Sequence, residues 1–463
     1  MARNLPCALA RGLHIAPRRR TLRPVKLRLP HPLVLLLGGV AVAFVLTWVL
    51  PAGEYERRVD EATGRSLVVA GTYQRVEAAP LGVFDALMAV PRGIIAGADV
   101  IVTILFVGGA FALLDATGAL ARLVGSAVGS ARRPRVTIVI VSVVCAAFGA
   151  MENMHEEFIA LIPVLVLLSR GLGFGAITAL AMSVGAATVG AAFGPTNPFA
   201  TGLALRFAEL PPMSGAGIRF AILGVATAVW IAWTLWSTSS DDIRPEVEIV
   251  TTVPATGRDL VLLSLCVLPI LIYVVGVLRF DWGFDQLSAL FLVAGFAVGM
   301  VAGKGLSETA VEFLRGMESM LSAALFVGVA RAISVVLADG QVLDTIVSGL
   351  VMPLSHVPPV AAALVMVPVH ALLHIVVPSN SGQAVLTMPI MAPTADLLGF
   401  ARDAAVMAYQ TGAPTMDVLS PTNGALLAML LKAGVPYGRW MRFALPGMLL
   451  VMLVGVVGIF LLL

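Results

Sequence analysis

Two short polar triplets, each set inside an apolar stretch and separated by one fixed offset, restrict what this chain can become. Pro195-Thr196-Asn197 and Pro421-Thr422-Asn423 start 226 residues apart (421 − 195). Without a gap, the same offset pairs Pro163 with Pro389, Leu172 with Leu398, Gly173 with Gly399 and Phe174 with Phe400. Upstream of each triplet lies a second polar interruption, AMENMHEEF at 150–158 and VVPSNSGQAV at 376–385. Each copy therefore reads as a polar tip, an apolar return, an apolar crossing and a Pro-Thr-Asn break. Matched apolar segments interrupted in corresponding halves point to the binding site of a secondary transporter.

The chain is 59% hydrophobic and 12% charged over 463 residues, with a mean hydropathy of +0.96. That is more apolar surface than a soluble fold of this size can hide, so the lipid bilayer is the expected solvent. A small-molecule substrate is expected and no nucleic acid. Residues 1–31 hold eight basic side chains (Arg3, Arg11, Arg18, Arg19, Arg20, Arg23, Lys26 and Arg28) and no acid. An apolar span follows at once, so the positive-inside rule places the basic N-terminal segment in the cytoplasm. The same acid-free start also fits a transit peptide or an early start codon. Cys7, Cys145 and Cys266 are scattered, so neither a disulfide framework, a structural metal site nor a cofactor is expected.

The predicted first repeat covers 32–237. Residues 33–50 cross outward, 51–80 form a polar loop read as a connector rather than a β-hairpin, 81–97 an interfacial amphipathic helix, and 100–120 cross inward. Two apolar runs, 136–149 and 158–169, flank the first tip. Each supplies about 20 Å of helix at 1.5 Å per residue, short of the roughly 30 Å of hydrocarbon. With arginines at both outer ends, they predict a re-entrant hairpin (136–169). Non-helical backbone at that depth must line protein or a cavity. A broken helix (175–208) and a return (217–236) complete the repeat, because proline cannot continue a helix.

A linker and one connecting crossing (238–284) invert the second copy, 285–463. It comprises an inward crossing at 287–302, an interfacial segment at 306–317, an outward crossing at 321–338, a hairpin (360–398), a broken helix (403–432) and a last crossing at 441–463. The predicted fold is an all-α polytopic membrane protein of two inverted repeats, each with a re-entrant hairpin and a broken transmembrane helix.

Carboxylates in the hydrocarbon zone are costly and by default functional. Glu152, Glu156 and Glu157 therefore mark the first tip as a site for a proton, Na⁺ or a cationic substrate group. Glu152 and Glu156 share a face if the second arm begins early. Asn153 belongs to the same tip, and His155 could relay protons. The second tip, Ser379, Asn380, Ser381, Gly382 and Gln383, carries no charge and offers hydroxyls, amides and helix-start N–H groups to a carboxylate. Thr196, Asn197, Thr422 and Asn423 offer the same chemistry at the breaks, where freed carbonyls near Asn197 and Asn423 suit Na⁺. Asp417 lies one turn before the second break as a further cation ligand. Arg331, inside an apolar crossing, is expected to pair with an acid such as Asp339 or Asp115, or else to meet a substrate carboxylate. His370 and His374 are four apart without a third ligand, which favours packing or hydrogen bonding over a metal. His155-Glu156 starts a zinc-protease pattern that Ile159 ends.

At TWVLPAGEY (47–55), GTY (71–73), MENMHEEF, PTNPF, GVARAIS (328–334), PSNSGQAVLTMPIMAPTADLLG (378–399), SPTNG and GVPYGRW (434–440) the sequence resembles the YfcC family of the C4-dicarboxylate anaerobic carrier (DcuC-like) group, within the ion transporter superfamily. The resemblance implies an inner-membrane secondary carrier of organic anions or amino acids, an elevator-type movement and a homodimer. The first tip departs from the commoner GMxEE form, with Glu152 added. The expectation is a symporter or antiporter of small carboxylate-bearing solutes, amino acids and basic ones first, coupled to H⁺ or Na⁺ or to exchange. A C4-dicarboxylate is the alternative. A channel and an intramembrane enzyme are the remaining classes, and the enzyme lacks a nucleophile with its base or a complete metal set.

Overall fold

The computed structural model describes residues 31–59, 66–78, 81–130, 133–153, 155–238, 254–280 and 282–463. The basic N-terminal segment before His31, residues 239–253 of the linker and Met154 of the first tip lie outside these. Among the described residues, nine helices are long and apolar enough to cross a membrane.

Helix α1 (Pro32–Val49) opens with proline at its first position, where no N–H is needed. The loop that follows is not a plain connector. It holds two antiparallel ribbons, β1 (Gly53–Glu54) with β4 (Gln74–Arg75), and β2 (Arg57–Val59) with β3 (Ser66–Val68). Ribbons this short are not stable alone. Here Asp344 fastens them by accepting Tyr55 N–H at 3.0 Å and both contacts of Arg57 Nη2 at 2.8 and 2.9 Å. That anchor lies far along the sequence, out of reach of a local reading.

Next come α2 (Val83–Ala96), α3 (Ala98–Ala116) and α4 (Ala119–Ser130), then the hairpin of α5 (Pro134–Glu152) and α6 (Phe158–Gly171). The hairpin departs from expectation in length. Proline at its first position starts α5 beside Arg133, and the helix continues through Glu152. Its 19 residues reach about 28 Å, not 20. Asn153, with φ 54°, ends it in the left-handed region that asparagine tolerates. Because α6 starts only at Phe158, Glu152 and Glu156 do not share a helix face.

The first broken helix is α7 (Ala176–Leu180), a π-turn at Ala181–Gly185, α8 (Ala186–Phe193), the break, a second π-turn at Pro198–Gly202, and α9 (Leu203–Phe207). The Ala181 carbonyl at the first π-turn accepts the buried Trp230 indole N–H at 2.9 Å, from α10 (Ala216–Ser237). Helices α5 and α8 touch backbone to backbone. A Cβ at Gly149 would overlap the Ala187 carbonyl, and one at Gly190 the Ala146 carbonyl. Small residues permit such close crossings in membranes.

The second half runs through α11 (Gly257–Phe280), α12 (Phe284–Val301), α13 (Leu306–Asp339), α14 (Leu343–Val351), the hairpin of α15 (Pro359–Val376) and α16 (Asn380–Leu398), then α17 (Arg402–Gly412), a 3₁₀ turn at Pro414–Val418, α18 (Gly424–Ala433) and α19 (Tyr437–Leu462). Two expectations need correction. The interfacial segment and the crossing expected at 306–338 are one 34-residue helix, α13. Residues 317–321 contain neither glycine nor proline to end it, whereas α2 and α3 part at Gly97. The second break also opens earlier than Ser420, because Pro414 cannot extend α17.

The repeat is visible in the caps. Gly173 (φ +87°) and Gly399 (φ +78°) end the second arms of the two hairpins. In each, the following phenylalanine N–H bonds five residues back, Phe174 to Ser169 at 2.9 Å and Phe400 to Ala395 at 3.0 Å. This is the Schellman arrangement, in which glycine is favoured at the left-handed position. The halves are also bound together. Buried Arg219 of α10 donates to Asp403 at 2.8 Å and to Gln410 of α17, while Gln410 Nε2 donates to Ala192 O and Thr201 Oγ1 across the first break.

Candidate functional site

Each Pro-Thr-Asn break is seated on the hairpin of its own copy. Thr196 Oγ1 donates to Ala150 O at 2.9 Å, near the end of α5, and Thr422 Oγ1 donates to Ile375 O at 2.6 Å, near the end of α15. Each asparagine restarts its helix through its amide oxygen. Asn197 Oδ1 accepts from Phe199 and Ala200 N–H, and Asn423 Oδ1 from Leu426 N–H. Each Nδ2 then reaches six residues back, from Asn197 to Ala191 O at 3.2 Å and from Asn423 to Asp417 Oδ1 at 2.9 Å. The copies thus differ at one chemical point. Where the first offers a backbone carbonyl, the second offers a carboxylate.

The tips meet between the breaks. Asn153 Oδ1 accepts from Asn197 Nδ2 and from Asn380 Nδ2, both at 3.2 Å. Asn380 Nδ2 also donates to Asp417 Oδ2 at 2.8 Å. Ser379 caps α16 by accepting Gly382 N–H at 3.2 Å, so Asn380, Ser381, Gly382 and Gln383 form the first helical turn rather than a loop. In the first tip, Glu157 Oε2 accepts the backbone N–H of His155 at 3.0 Å.

These elements enclose a cavity of about 330 Å³, within the size range of small-molecule sites. Glu156, Glu157 and Asp417 supply its carboxylates, Arg331 its guanidinium, and the second tip its neutral donors. Two lining residues carry buried polar atoms without a partner, Asn380 Oδ1 and His155 Nε2. Such atoms are rare unless a ligand or water completes them.

Of the residues singled out from sequence, Asn153, His155, Glu156, Glu157, Ser379, Asn380, Ser381, Gly382, Asp417 and Asn423 line this cavity together. Thr196, Asn197 and Thr422 stand behind it as the pins just described. Gln383 is fully buried and turned away, with Oε1 at 2.8 Å from His374 Nδ1 and Nε2 donating to His370 O at 2.8 Å. Glu152 closes α5, and its side chain lies outside the described residues. The amide oxygen of Asn197 accepts two backbone N–H groups and that of Asn423 accepts one.

Arg331 departs from the expected ion pair. Asp339 is taken by Arg92, and among the described residues no carboxylate lies within ion-pair distance of Arg331. Its Nη1 instead donates to Ala96 O at 2.9 Å, where α2 ends. A Cβ at Gly97 would stand 3.2 Å from the Arg331 side chain, so the α2–α3 junction leaves room for it. His374 takes the hydrogen-bonding role read from sequence, with Nδ1 at 2.8 Å from Gln383 Oε1 and Nε2 at 2.9 Å from Asp417 Oδ1. The clue was a histidine one turn before the second tip, visible only as half of a His-x-x-x-His pair.

Apolar crossings around a cavity closed by two helix interruptions define a multi-pass membrane transporter. The chain belongs to the C4-dicarboxylate anaerobic carrier family, whose model matches residues 29–463. It is 28% identical to an uncharacterized protein of Haemophilus influenzae, over 92% of this chain and 95% of that one. It is 27% identical to the putative basic amino acid antiporter YfcC of Escherichia coli, over 92% and 94%. Two solved structures are similar at lower identity. They are the YdaH transporter of Alcanivorax borkumensis (17% identity, 93% of this chain and 98% of that chain, TM-score 0.43) and MtrF of Neisseria gonorrhoeae (14%, 93% and 94%, TM-score 0.44).

Proposed function

We propose that this transporter carries amino acids, basic ones preferentially, by secondary active transport. The observation that carries this reading is the charge layout of the central cavity. Arg331 stands as a cation without a carboxylate partner among the described residues, and Glu156, Glu157 and Asp417 stand as acids in the same space. An α-carboxylate meets Arg331 and the N–H and hydroxyl groups of the second tip. The α-ammonium meets the first tip, with the unpartnered Asn380 Oδ1 as a further acceptor. A second positive charge on the side chain uses the remaining acid. The basic amino acid named for the Escherichia coli relative agrees with this assignment.

A C4-dicarboxylate is the second reading, favoured by Arg331 and the neutral second tip, and by the name of the family. Three nearby carboxylates oppose a dianion unless they are protonated. On either reading the hairpins are re-entrant from opposite sides, the repeats are inverted, and the tips and breaks move together as an elevator against a dimeric scaffold. A cytoplasmic N-terminus, from the basic residues of the N-terminal segment, and the inner membrane implied by the family complete the arrangement.

Counterflow tests the substrate class. Proteoliposomes preloaded with arginine, ornithine, succinate or alanine are given labelled arginine. Arginine and ornithine are expected to stimulate its entry at least tenfold over empty vesicles. Labelled-arginine entry that neither arginine nor ornithine stimulates would overturn the assignment.

A further inference from the structure

We infer that His374 and Asp417 form a one-proton site, and that a proton held there is the ion coupled to transport. This rests on the reading of the central cavity as the transport site, but not on which solute is carried.

Hydrogen-bond direction fixes the chemistry, starting from backbone groups whose roles are not open. The His370 carbonyl can only accept, so the Gln383 atom 2.8 Å from it is the amide nitrogen. The other Gln383 atom is therefore the oxygen, and it faces His374 Nδ1 at 2.8 Å. His374 Nδ1 must carry hydrogen. The opposite ring nitrogen, Nε2, lies 2.9 Å from Asp417 Oδ1.

A neutral His374 with hydrogen on Nδ1 would present the Nε2 lone pair to the carboxylate. The contact is attractive only with one more proton, and the amide donors on both Asp417 oxygens favour the ionised carboxylate, which puts that proton on Nε2 as imidazolium. The rest of the Asp417 carboxylate is also determined. Asn423 must turn its NH₂ to Asp417, because its oxygen accepts Leu426 N–H. Asn380 donates to the other oxygen at 2.8 Å. Neither amide supplies an ionisable proton.

The pair is placed to exchange that proton with the cavity. Asp417 lines it, whereas His374 is fully buried behind. Among the described residues, the ionisable groups facing the pair are His155, Glu156 and Glu157 from the first tip, Arg331 of α13 across the cavity, His370 from the same helix as His374, and Tyr409 of α17, whose hydroxyl donates to Asn380 O at 2.7 Å. On deprotonation the N–H···O bond is lost, the proton leaves through the cavity, and a lone pair faces a carboxylate. Asp417 then holds the second hairpin only through Asn380, so proton loss loosens that hairpin from the second break.

The test is nitrogen NMR of the full chain, labelled with ¹⁵N-histidine, in lipid nanodiscs without substrate, across a pH series with and without Na⁺. Of the three buried histidines among the described residues, His374 alone has both ring nitrogens bonded, while His155 and His370 each leave Nε2 unpartnered. The expected spectrum contains a histidine whose Nδ1 keeps its hydrogen throughout and whose Nε2 proton is present at low pH and lost at high pH, independently of Na⁺. That signal should vanish in His374→Gln, and in Asp417→Asn the Nε2 proton should be lost at pH 7. A wild-type spectrum with no such histidine overturns the proposal even if both variants fail to fold. So does a signal that survives His374→Gln, or one that responds to Na⁺ and not to pH. Because no substrate is present, a wrong amino-acid assignment leaves this result unchanged.

Discussion

Asn380 Nδ2 lies 3.2 Å from Asn153 Oδ1, and through this bond the tips of the two hairpins touch at the centre of the molecule. The same Asn380 nitrogen reaches Asp417 at 2.8 Å. One side chain therefore ties the first tip, the second tip and the second break around the cavity.

Replacing Asn380 with alanine should uncouple these parts without unfolding the protein. The loss is one bond to an amide and one to a carboxylate, about 1–3 kcal/mol. Labelled-substrate uptake should fall at least tenfold, while a thermal melt in detergent still shows one cooperative transition. Uptake near wild type would mean that the tip contact is incidental.

The repeat, both hairpins and both breaks are readable in the sequence because membrane crossings leave two strong marks, apolar length and proline-bounded interruption. Ten of the residues chosen on that basis line one cavity. What the sequence hides is pairing at a distance. Asp344 anchors the ribbons at 53–75 from almost three hundred residues away. Sequence offers Arg331 either Asp339 or Asp115 or a substrate carboxylate, and it does not show that Arg92 takes Asp339. His374 and Asp417 are 43 residues apart, and nothing in composition joins them. The lengths of α5 and α13 are hidden for a simpler reason, since charged residues inside helices look like ends when only hydropathy is followed.

Gly190 and Gly224 give a matched pair. A Cβ at Gly190 would overlap the Ala146 carbonyl, whereas nothing lies within 4 Å of one at Gly224 in α10. Gly190→Val should destabilise by about 1–3 kcal/mol or more through overpacking. Gly224→Ala should be neutral or stabilise by up to about 1 kcal/mol. Fluorescence-detected gel filtration after a heat step separates the two.

Arg331→Gln should raise KM for the transported carboxylate at least tenfold, with kcat less affected. Arg331→Lys should restore only part of the loss, because an ammonium cannot replace the planar donor set. An unchanged KM in Arg331→Gln would place the substrate carboxylate elsewhere.

At the start of α11, half-buried Arg122 donates to buried Asp259 at 2.6 and 3.0 Å, and Thr256 N–H and Oγ1 donate to the same carboxylate. The Arg122 hydrogen bonds hold the Asp259 carboxyl well below the usual carboxylate range. A carboxyl lowered by folding stabilises the protein above its unfolded value, about 3.9, and that contribution disappears as pH falls. Asp259→Asn should therefore lower Tm at pH 7, and the gap from wild type should shrink towards pH 3. A gap independent of pH would assign the effect to packing.

Gradient-driven uptake of labelled arginine, ornithine, succinate and alanine into proteoliposomes, by wild type and Glu156→Gln, tests the central claim most directly. The acidic first tip acting on a basic amino acid predicts that arginine or ornithine accumulates against its gradient and that Glu156→Gln abolishes the accumulation. Accumulation of succinate, unchanged in Glu156→Gln, would contradict it.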